Sequence, residues 1–474
     1  MSSMSGFARC VAFRSVGNSS YLRYVHGSDG KTFIEPSGQD CISPYTRFYV
    51  EPSMQHEGLV HIRCCYNNTY WVAVQKQEGD VGGWIIGTAH EPEDDLSKPS
   101  CTLFKLDTIT KNQPQSDRFF LVAHLGKHVS MFTSSDKVTS YLYVRREETR
   151  EDNIISAYTV LDLSEEKLLP KYIAIKGDDG KYLSAQIIEG YKYLTFSSDD
   201  IGDSLVHNTT ITNNDGTVRI KNNHFNQFWR RSPNWIWADS SDTSNNDPDT
   251  LFRVIKIGDY FAFKNLGNNY FCKRLTTEGK TSCLNAAIET ITKEAKLKIE
   301  EAVVSRKIYN IDYHLSKSRI YDKNVLTMST ATAVNHTNVD NTVNLTLVYN
   351  ETNKKTWDST LSWNLNVAAK IKVGIPVISQ ENVQISNEFK REYKWGSSLE
   401  KNTEHKIDYE VTVPPKTKVT VSLIASQGSC DVPFSYKQED ILYDGQVVTY
   451  DMEDGIYTGI NCYDFKYETK EENI

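Results

Sequence analysis

Between residues 361 and 377 the chain reads LSWNLNVAAKIKVGIPV, and every odd position is apolar: Leu361, Trp363, Leu365, Val367, Ala369, Ile371, Val373, Ile375 and Val377. The even positions are Ser, Asn, Asn, Ala, Lys, Lys, Gly and Pro. A helix would need apolar residues at i, i+3 and i+4, so this period of two predicts an extended ribbon with one apolar and one polar face. Alternation of the same parity runs through Val343, Leu345, Leu347 and Tyr349, then through Val383 and Ile385 to Phe389, Tyr393 and Trp395. It returns after the VPPKTK stretch as Val419, Val421, Leu423 and Ala425. Long alternating strands joined end to end predict an elongated β-domain over residues 304–474.

The first 300 residues carry a different pattern, a short motif that recurs at intervals of about fifty residues. It begins with an apolar–x–apolar step, usually followed by a basic residue, then a polar turn and an aromatic. The copies are VAFRSVGNSSYL, VHIRCCYNNTYW, FLVAHLGKHV, IAIKGDDGKYL, VRIKNNHFNQFW and FAFKNLGNNYF. The basic residue is Arg14, Arg63, Lys176, Lys221 or Lys264, and the aromatic ending starts at Tyr21, Tyr70, Tyr182, Phe228 or Tyr270. The copy at Phe120 departs in both places. Each copy reads as a hairpin with an Asn, Gly or Asp apex, and one hairpin cannot bury its apolar face alone. Two three-fold β-trefoils or one six-bladed propeller suit the period. The charged, pattern-free stretch at 156–170 separates copies three and four and favours two trefoils, at 1–155 and 171–303. No blade-wide four-strand motif supports the propeller. The expected fold class is therefore all-β.

Composition narrows function more than fold. The 53 Lys and Arg are outnumbered by 61 Asp and Glu, a net charge of −8, which argues against nucleic acid as a partner. Nine cysteines, odd in number and without a CxxC pair, predict reduced thiols rather than a disulfide framework or a zinc site. The N-terminal MSSMSGFARC lacks the apolar core of a secretory signal, and no stretch reaches 18 apolar residues. Cytoplasmic or nucleocytoplasmic synthesis is expected, so the six NxS/T sequons are read as Asn-rich turns. Signatures of catalysis are missing, and a non-enzyme without cofactor is expected. His124 and His128 flank a turn, and DSSDTSNNDPD lacks the order and closing glutamate of a calcium loop, so no metal is expected.

YLRY at 21, GLVHIRCCYNNTYW at 58, WIIGTAHEPEDD at 84, CTLFKLD at 101, KGDDGKYL at 176, NQFWR at 226 and SCLNAA at 282 resemble, in order, the tandem β-trefoil agglutinin domains of amaranthin-type plant lectins. The resemblance covers residues 5 to 302. It implies cell-surface glycans of the GalNAc and Gal-GalNAc type as partners, bound where one domain meets the second domain of a neighbouring subunit. Sugar recognition needs an aromatic face for the ring and planar polar groups for its hydroxyls. The candidates are Asp80 and Trp84 in the first domain and Arg231, Ser232, Asn234 and Trp235 in the second. The EGDVGG loop before Trp84 is longer and richer in glycine than the family's, so only Asp80 and Trp84 carry over there. Trp229 and Trp237 lie on strands and are equally well read as core.

The segment TWDSTLSWNLNVAAKIKVGIPVISQENVQISNEFKREYKWGSS, followed by YEVTVPPKTKVTVSLIA, resembles the core of the aerolysin-type β-pore-forming proteins. The resemblance covers residues 304–474 and implies an amphipathic insertion hairpin tucked against a body of long strands. Its membrane-facing residues would be Leu361, Trp363, Leu365, Val367, Ile371, Val373, Ile375 and Val377. The resemblance also implies that the 361–377 run, longer than one crossing at about 3.3 Å per residue, folds back near Ala368 to Lys370 into arms of about eight residues, which the flanking segments 343–357 and 380–395 would extend. A lone strand pair leaves backbone groups unpaired in lipid, so several chains would have to close a barrel. The expected protein is a defence lectin that binds glycans, forms a homo-oligomer of dimers or higher, and inserts into membrane lipid. The alternative is a non-lytic lectin whose C-terminal part only oligomerises.

Overall fold

The computed structural model describes residues 10–26, 32–41, 43–75, 83–108, 117–133, 140–144, 157–163, 169–359, 367–386 and 393–474. Nearly every element is a strand, and among the described residues there is no α-helix. The chain divides into two units. One is built on the residues up to Arg306 and takes in 439–448, and the other is built mainly on 307–359, 368–438 and 449–474.

The first unit contains two barrels of the same design. In the first, strands Cys10–Ser15, Phe48–Pro52, Val60–Cys64, Leu103–Thr108, Asp117–Val122 and Tyr158–Asp162 pair in sequence order, and the last returns to the first. Three hairpins leave this ring: Tyr21–His26 with Thr32–Gly38, Tyr70–Gln75 with Gly83–Ala89, and Lys127–Thr133 with Ser140–Val144. The second ring uses Tyr172–Lys176, Asn208–Thr212, Val218–Asn222, Phe252–Ile257, Tyr260–Asn265 and Lys298–Glu301, closed by a bridge between Phe261 and Leu297. Its hairpins are Tyr182–Ile188 with Tyr191–Ser198, Gln227–Ser232 with Trp235–Ser240, and Phe271–Thr277 with Lys280–Ile288. Each barrel is filled by rings. Phe13, Phe48, Trp71, Phe104 and Phe120 pack in one, and Trp229, Phe252, Phe261 and Phe263 in the other.

The repeated motif has a plain physical basis. Each of its basic residues sits directly opposite an aromatic where a ring strand turns into a hairpin: Arg14 with Tyr21, Arg63 with Tyr70, Lys176 with Tyr182, Lys221 with Phe228 and Lys264 with Phe271. In the last copy the partner is Phe271, one residue beyond the Tyr270 that the sequence pattern picks out. Lys176 lies 4.7 Å from the Tyr182 ring centre, a cation–π contact as well as a cross-strand pair. Two residues before the aromatic position, each turn uses the left-handed region: Ser19, Asn68, Gly126, Gly180, Asn226 and Asn269 have φ between 58° and 81°. Asn and Gly tolerate that conformation, which explains their recurrence at the apex.

The second unit is a sheet of long strands. Val303–Tyr313, Thr417–Leu442, Val447–Asn473, Asn341–Ser359 and Ser398–Val413 follow one another across it, and Arg319–Asn335 pairs with Thr417–Leu442. The pairing of Asn341–Ser359 with Ser398–Val413 runs unbroken from Asn341 opposite Val413 to Thr356 opposite Ser398. From Asn402 to Val413 exposure alternates residue by residue, as the period of two predicts. One face buries Leu347, Val419, Val421 and Leu423. The other carries hydroxyl pairs across strands, including Thr330 with Ser422, Thr332 with Thr420 and Thr342 with Thr412.

Candidate functional site

In each barrel the three hairpins meet in a triangle, and the tryptophans expected to hold sugar sit inside it. Phe33, Trp84 and Tyr141 come one from each hairpin, with ring centres 4.6 to 6.1 Å apart. Tyr193, Trp235 and Cys283 do the same in the second barrel, where Trp235 keeps only 6% of its surface exposed. Trp84 and Trp235 are therefore equivalent positions, and the contacts where the hairpins meet decide their burial. Trp235 has no open face for a sugar ring, a correction to the sequence expectation. Trp84 remains half-buried, and Asp80 lies outside the described residues.

Arg231 is committed within the fold. Its Nε donates to Asp249 Oδ1 at 2.8 Å, its Nη2 approaches the same oxygen at 2.6 Å, and its Nη1 donates to the Pro233 carbonyl. Ser232 ends the strand, and Asn234 is exposed at the turn, where its Oδ1 accepts from Asn268 Nδ2 at 3.4 Å. The structure thus brings Arg231, Ser232 and Asn234 to one turn, beside a Trp235 that is buried. Trp229 is core, fully buried, with its Nε1 donating to Asn208 Oδ1 at 3.1 Å. Trp237 is only half-buried and stacks on Tyr191. Both tryptophans of the WIW segment face the same side, and the residue numbers alone do not reveal which one the neighbouring hairpins cover.

The DSSDTSNNDPD loop has a structural role: it wraps Arg219, whose Nη atoms donate to the Asp242 and Thr243 carbonyls while its guanidinium covers Phe228 at 3.9 Å. Among the described residues no group of three ligating side chains could hold a metal ion. None of the nine cysteines forms a disulfide. Burial pushes the Cys64 and Cys430 thiols up to about 12 and Cys283 to about 11, which keeps them protonated and inert.

The insertion candidates lie in an excursion between the two strands of the unbroken ladder. Leu361, Trp363 and Leu365 are outside the described residues. Val367 is half-buried, Ile371 and Ile375 are fully buried, and Val373 and Val377 pack at the edge of a cluster formed by Trp357, Ile378, Trp395, Cys430, Phe434 and Tyr457. The observed reversal is at Gln380, whose φ is 57°, and not near Ala368 to Lys370. There Ile375–Ser379 pairs with Asn382–Ser386, and Lys370–Ile371 pairs with Tyr393–Lys394. The alternation is compatible with either reversal. The buried Ile378–Val383 pair at the observed one supplies the packing.

A single buried amide holds this hairpin down. Asn461 Oδ1 accepts from the Ile378 N–H at 2.9 Å, and Asn461 Nδ2 donates to the Ile378 carbonyl at 3.0 Å. Tyr313 adds a bond from its hydroxyl to the Gly374 carbonyl at 3.1 Å, and Trp357 Nε1 donates to that hydroxyl at 2.7 Å. Pairing both backbone groups of Ile378 satisfies polar atoms that would otherwise be costly to bury. Among the described residues no helix is long and apolar enough to cross a membrane, which leaves crossing by strands untouched.

Two ring-closed barrels with three hairpins each and a sheet of long strands define an all-β protein with a repeated front half. The chain belongs to the agglutinin-domain family, whose model matches residues 5–158 and 167–301, more than half of its length. Natterin-1 of Thalassophryne nattereri is similar to it at 26% identity over 148 residues, 31% of this chain and 42% of Natterin-1. Natterin-2 of the same fish matches at 26%, again over 31% of this chain and 39% of its own length. The match thus spans about two fifths of those relatives. Among solved structures, a lamprey immune protein is 12% identical, covers 65% of this chain and 93% of its own, and has a TM-score of 0.32. An aerolysin-like protein from Bombina maxima is 15% identical over 35% of this chain and 99% of its own, with a TM-score of 0.26.

Proposed function

We propose that this chain is a non-enzymatic lectin of two β-trefoils, made in the cytosol, that delivers a pore-forming β-domain to glycan-bearing membranes in defence. Membership of the agglutinin-domain family supports the glycan-binding half, with GalNAc and Gal-GalNAc as the ligands to test first. The observation that carries the pore-forming half is the placement of residues 360–397. They interrupt the open end of a ladder whose two strands stay in one register to Thr356 opposite Ser398.

Continuing that register outward sets Leu361 opposite Tyr393, Leu365 opposite Phe389 and Ile371 opposite Val383. All are odd-numbered, so one apolar face extends along both arms. The arms are then about twenty residues each, ample for the ~9–11 that a tilted strand needs to cross a bilayer. The apolar face meets lipid and the Ser, Thr, Asn and Lys face lines the lumen.

The resting hairpin uses a different register. Val383 now faces Ile378, seven residues beyond the Ile371 it would meet in the extended ladder. This odd shift turns the Ile375–Ser379 segment over relative to Asn382–Ser386, whereas Ile371 opposite Tyr393 is ten residues from the extended register and keeps its face. Insertion is thus a register switch as well as a release, and several chains must supply hairpins before a closed, edge-free barrel forms. The test is to incubate the chain with GalNAc-bearing liposomes and assay for detergent-resistant oligomers. Glycan-dependent oligomers are expected, and binding that leaves only monomers or simple dimers would favour the non-lytic alternative.

A further inference from the structure

The first and middle hairpins of the second barrel together carry an aromatic platform with an ionic rim. Tyr191 stacks on Trp237, with ring centres 4.5 Å apart and planes 19° from parallel, and Tyr191 is itself 50% exposed. Trp237 lies directly across the strand pair from Arg230, so the two share a face. Arg230 is locked in place by Asp239, from Nε to Oδ1 at 3.1 Å and from Nη2 to Oδ2 at 2.7 Å. Gln227 Nε2 donates to the Asp239 carbonyl at 3.0 Å, and Lys192 reaches Gln227 Oε1.

Packing could by itself demand such a face, and the internal repeats test that. The equivalent hairpin of the first barrel has the same register, with Trp71 opposite Gly87 where the second has Trp229 opposite Ala238. Val72, Ile86 and Thr88 then stand where Arg230, Trp237 and Asp239 do. In the other two hairpins of the second barrel the Arg230 and Trp237 places hold Ser184 with Thr195 and Lys273 with Asn285. One equivalent face is aliphatic, one pairs Ser with Thr, and one keeps a cation, Lys273, without a tryptophan, so the combination of ring and ion pair is not a requirement of folding.

We infer that Tyr191, Trp237 and the Arg230–Asp239 pair form a glycan subsite for an uncharged, galactose-configured pyranose. This rests on the lectin reading above and locates it. An exposed ring covers the C–H face of a sugar, and an axial C4 hydroxyl leaves one such face continuous. The Arg–Asp pair adds donors and acceptors beside the ring while carrying no net charge, which favours hydroxyls over an anionic sugar. Because both Asp239 oxygens already hold the guanidinium, little side-chain freedom is lost on binding. Among the described residues Arg230 Nη1 makes no hydrogen bond of its own and is available to a hydroxyl.

The experiment is a titration of the intact chain on immobilised GalNAc- and galactose-terminated glycans, with the thermal midpoint as a check on folding. Tyr191→Ala, Trp237→Ala and Arg230→Ala should each lose at least tenfold in affinity, and Tyr191→Phe should bind as wild type does. Tyr191→Ala removes a surface ring that the core does not use, so it decides the matter even if Trp237→Ala lowers the midpoint. Binding within twofold of wild type for a folded Tyr191→Ala would overturn the platform and leave the lectin reading standing. A wild type that binds no glycan would overturn the lectin reading and the platform with it.

Discussion

At the scale of single residues, Arg306 is the side chain on which most depends. It is nearly buried and forms two bonds to Asp440, at 2.7 and 2.9 Å, and two more to Glu301, one of them at 3.2 Å. Removing the cation takes from two buried carboxylates the guanidinium they share, so Arg306→Ala should lower stability by about 3–5 kcal/mol in denaturant titration. Arg306→Lys, which keeps the charge but not the planar fork, should fall between it and wild type. A loss within 1 kcal/mol for the alanine variant would count against the clamp. His61 gives a second test. Burial depresses its pKa, although Asp94 and the Thr102 contact oppose the effect. Burial likewise depresses His124 and His314. The unfolded chain then binds more protons, so the stability these rings contribute is present above their ordinary value of about 6.5 and is lost as pH falls through it. The thermal midpoint should drop between pH 7.5 and 5.5, and a His61→Gln variant should show a smaller drop.

At the scale of elements, the barrel hairpins were legible because three local signals agree: a basic residue, a left-handed turn position and an aromatic that pairs with the basic residue. The long alternating strands were legible from parity alone. Parity assigns a face but not a partner, which is why the reversal at Gln380 was invisible while an apolar ribbon was plain. Asn461 was equally hidden, since it lies 83 residues from the Ile378 it holds and nothing local marks it. The two tryptophans of the WIW segment illustrate the same limit, because burial there depends on which hairpins meet. Asn461→Leu should leave the Ile378 backbone groups unpaired, at about 1–3 kcal/mol each. Hydrogen exchange at the Ile378 amide should then accelerate at least tenfold while barrel amides stay protected, and unchanged exchange there would remove Asn461 from the account.

At the scale of the whole molecule, the proposed glycan binding by the repeated front half would give a reason for a buried amphipathic hairpin to be kept ready for release. The choice of variant matters, since Ile371 and Ile375 are fully buried and a charge at either would damage the resting fold. A lock is cleaner. Val377 and Gln384 face each other in the resting hairpin and would be seven residues out of step in the extended one. A Val377→Cys, Gln384→Cys disulfide therefore holds the resting register without touching the glycan-binding barrels. The most direct measurement is dye release from GalNAc-bearing liposomes by this double variant, before and after reduction. The account predicts that the oxidised protein binds the liposomes without leakage and that reductant restores leakage to the wild-type level. Leakage from the oxidised form, or none from glycan-bound wild type, would contradict it.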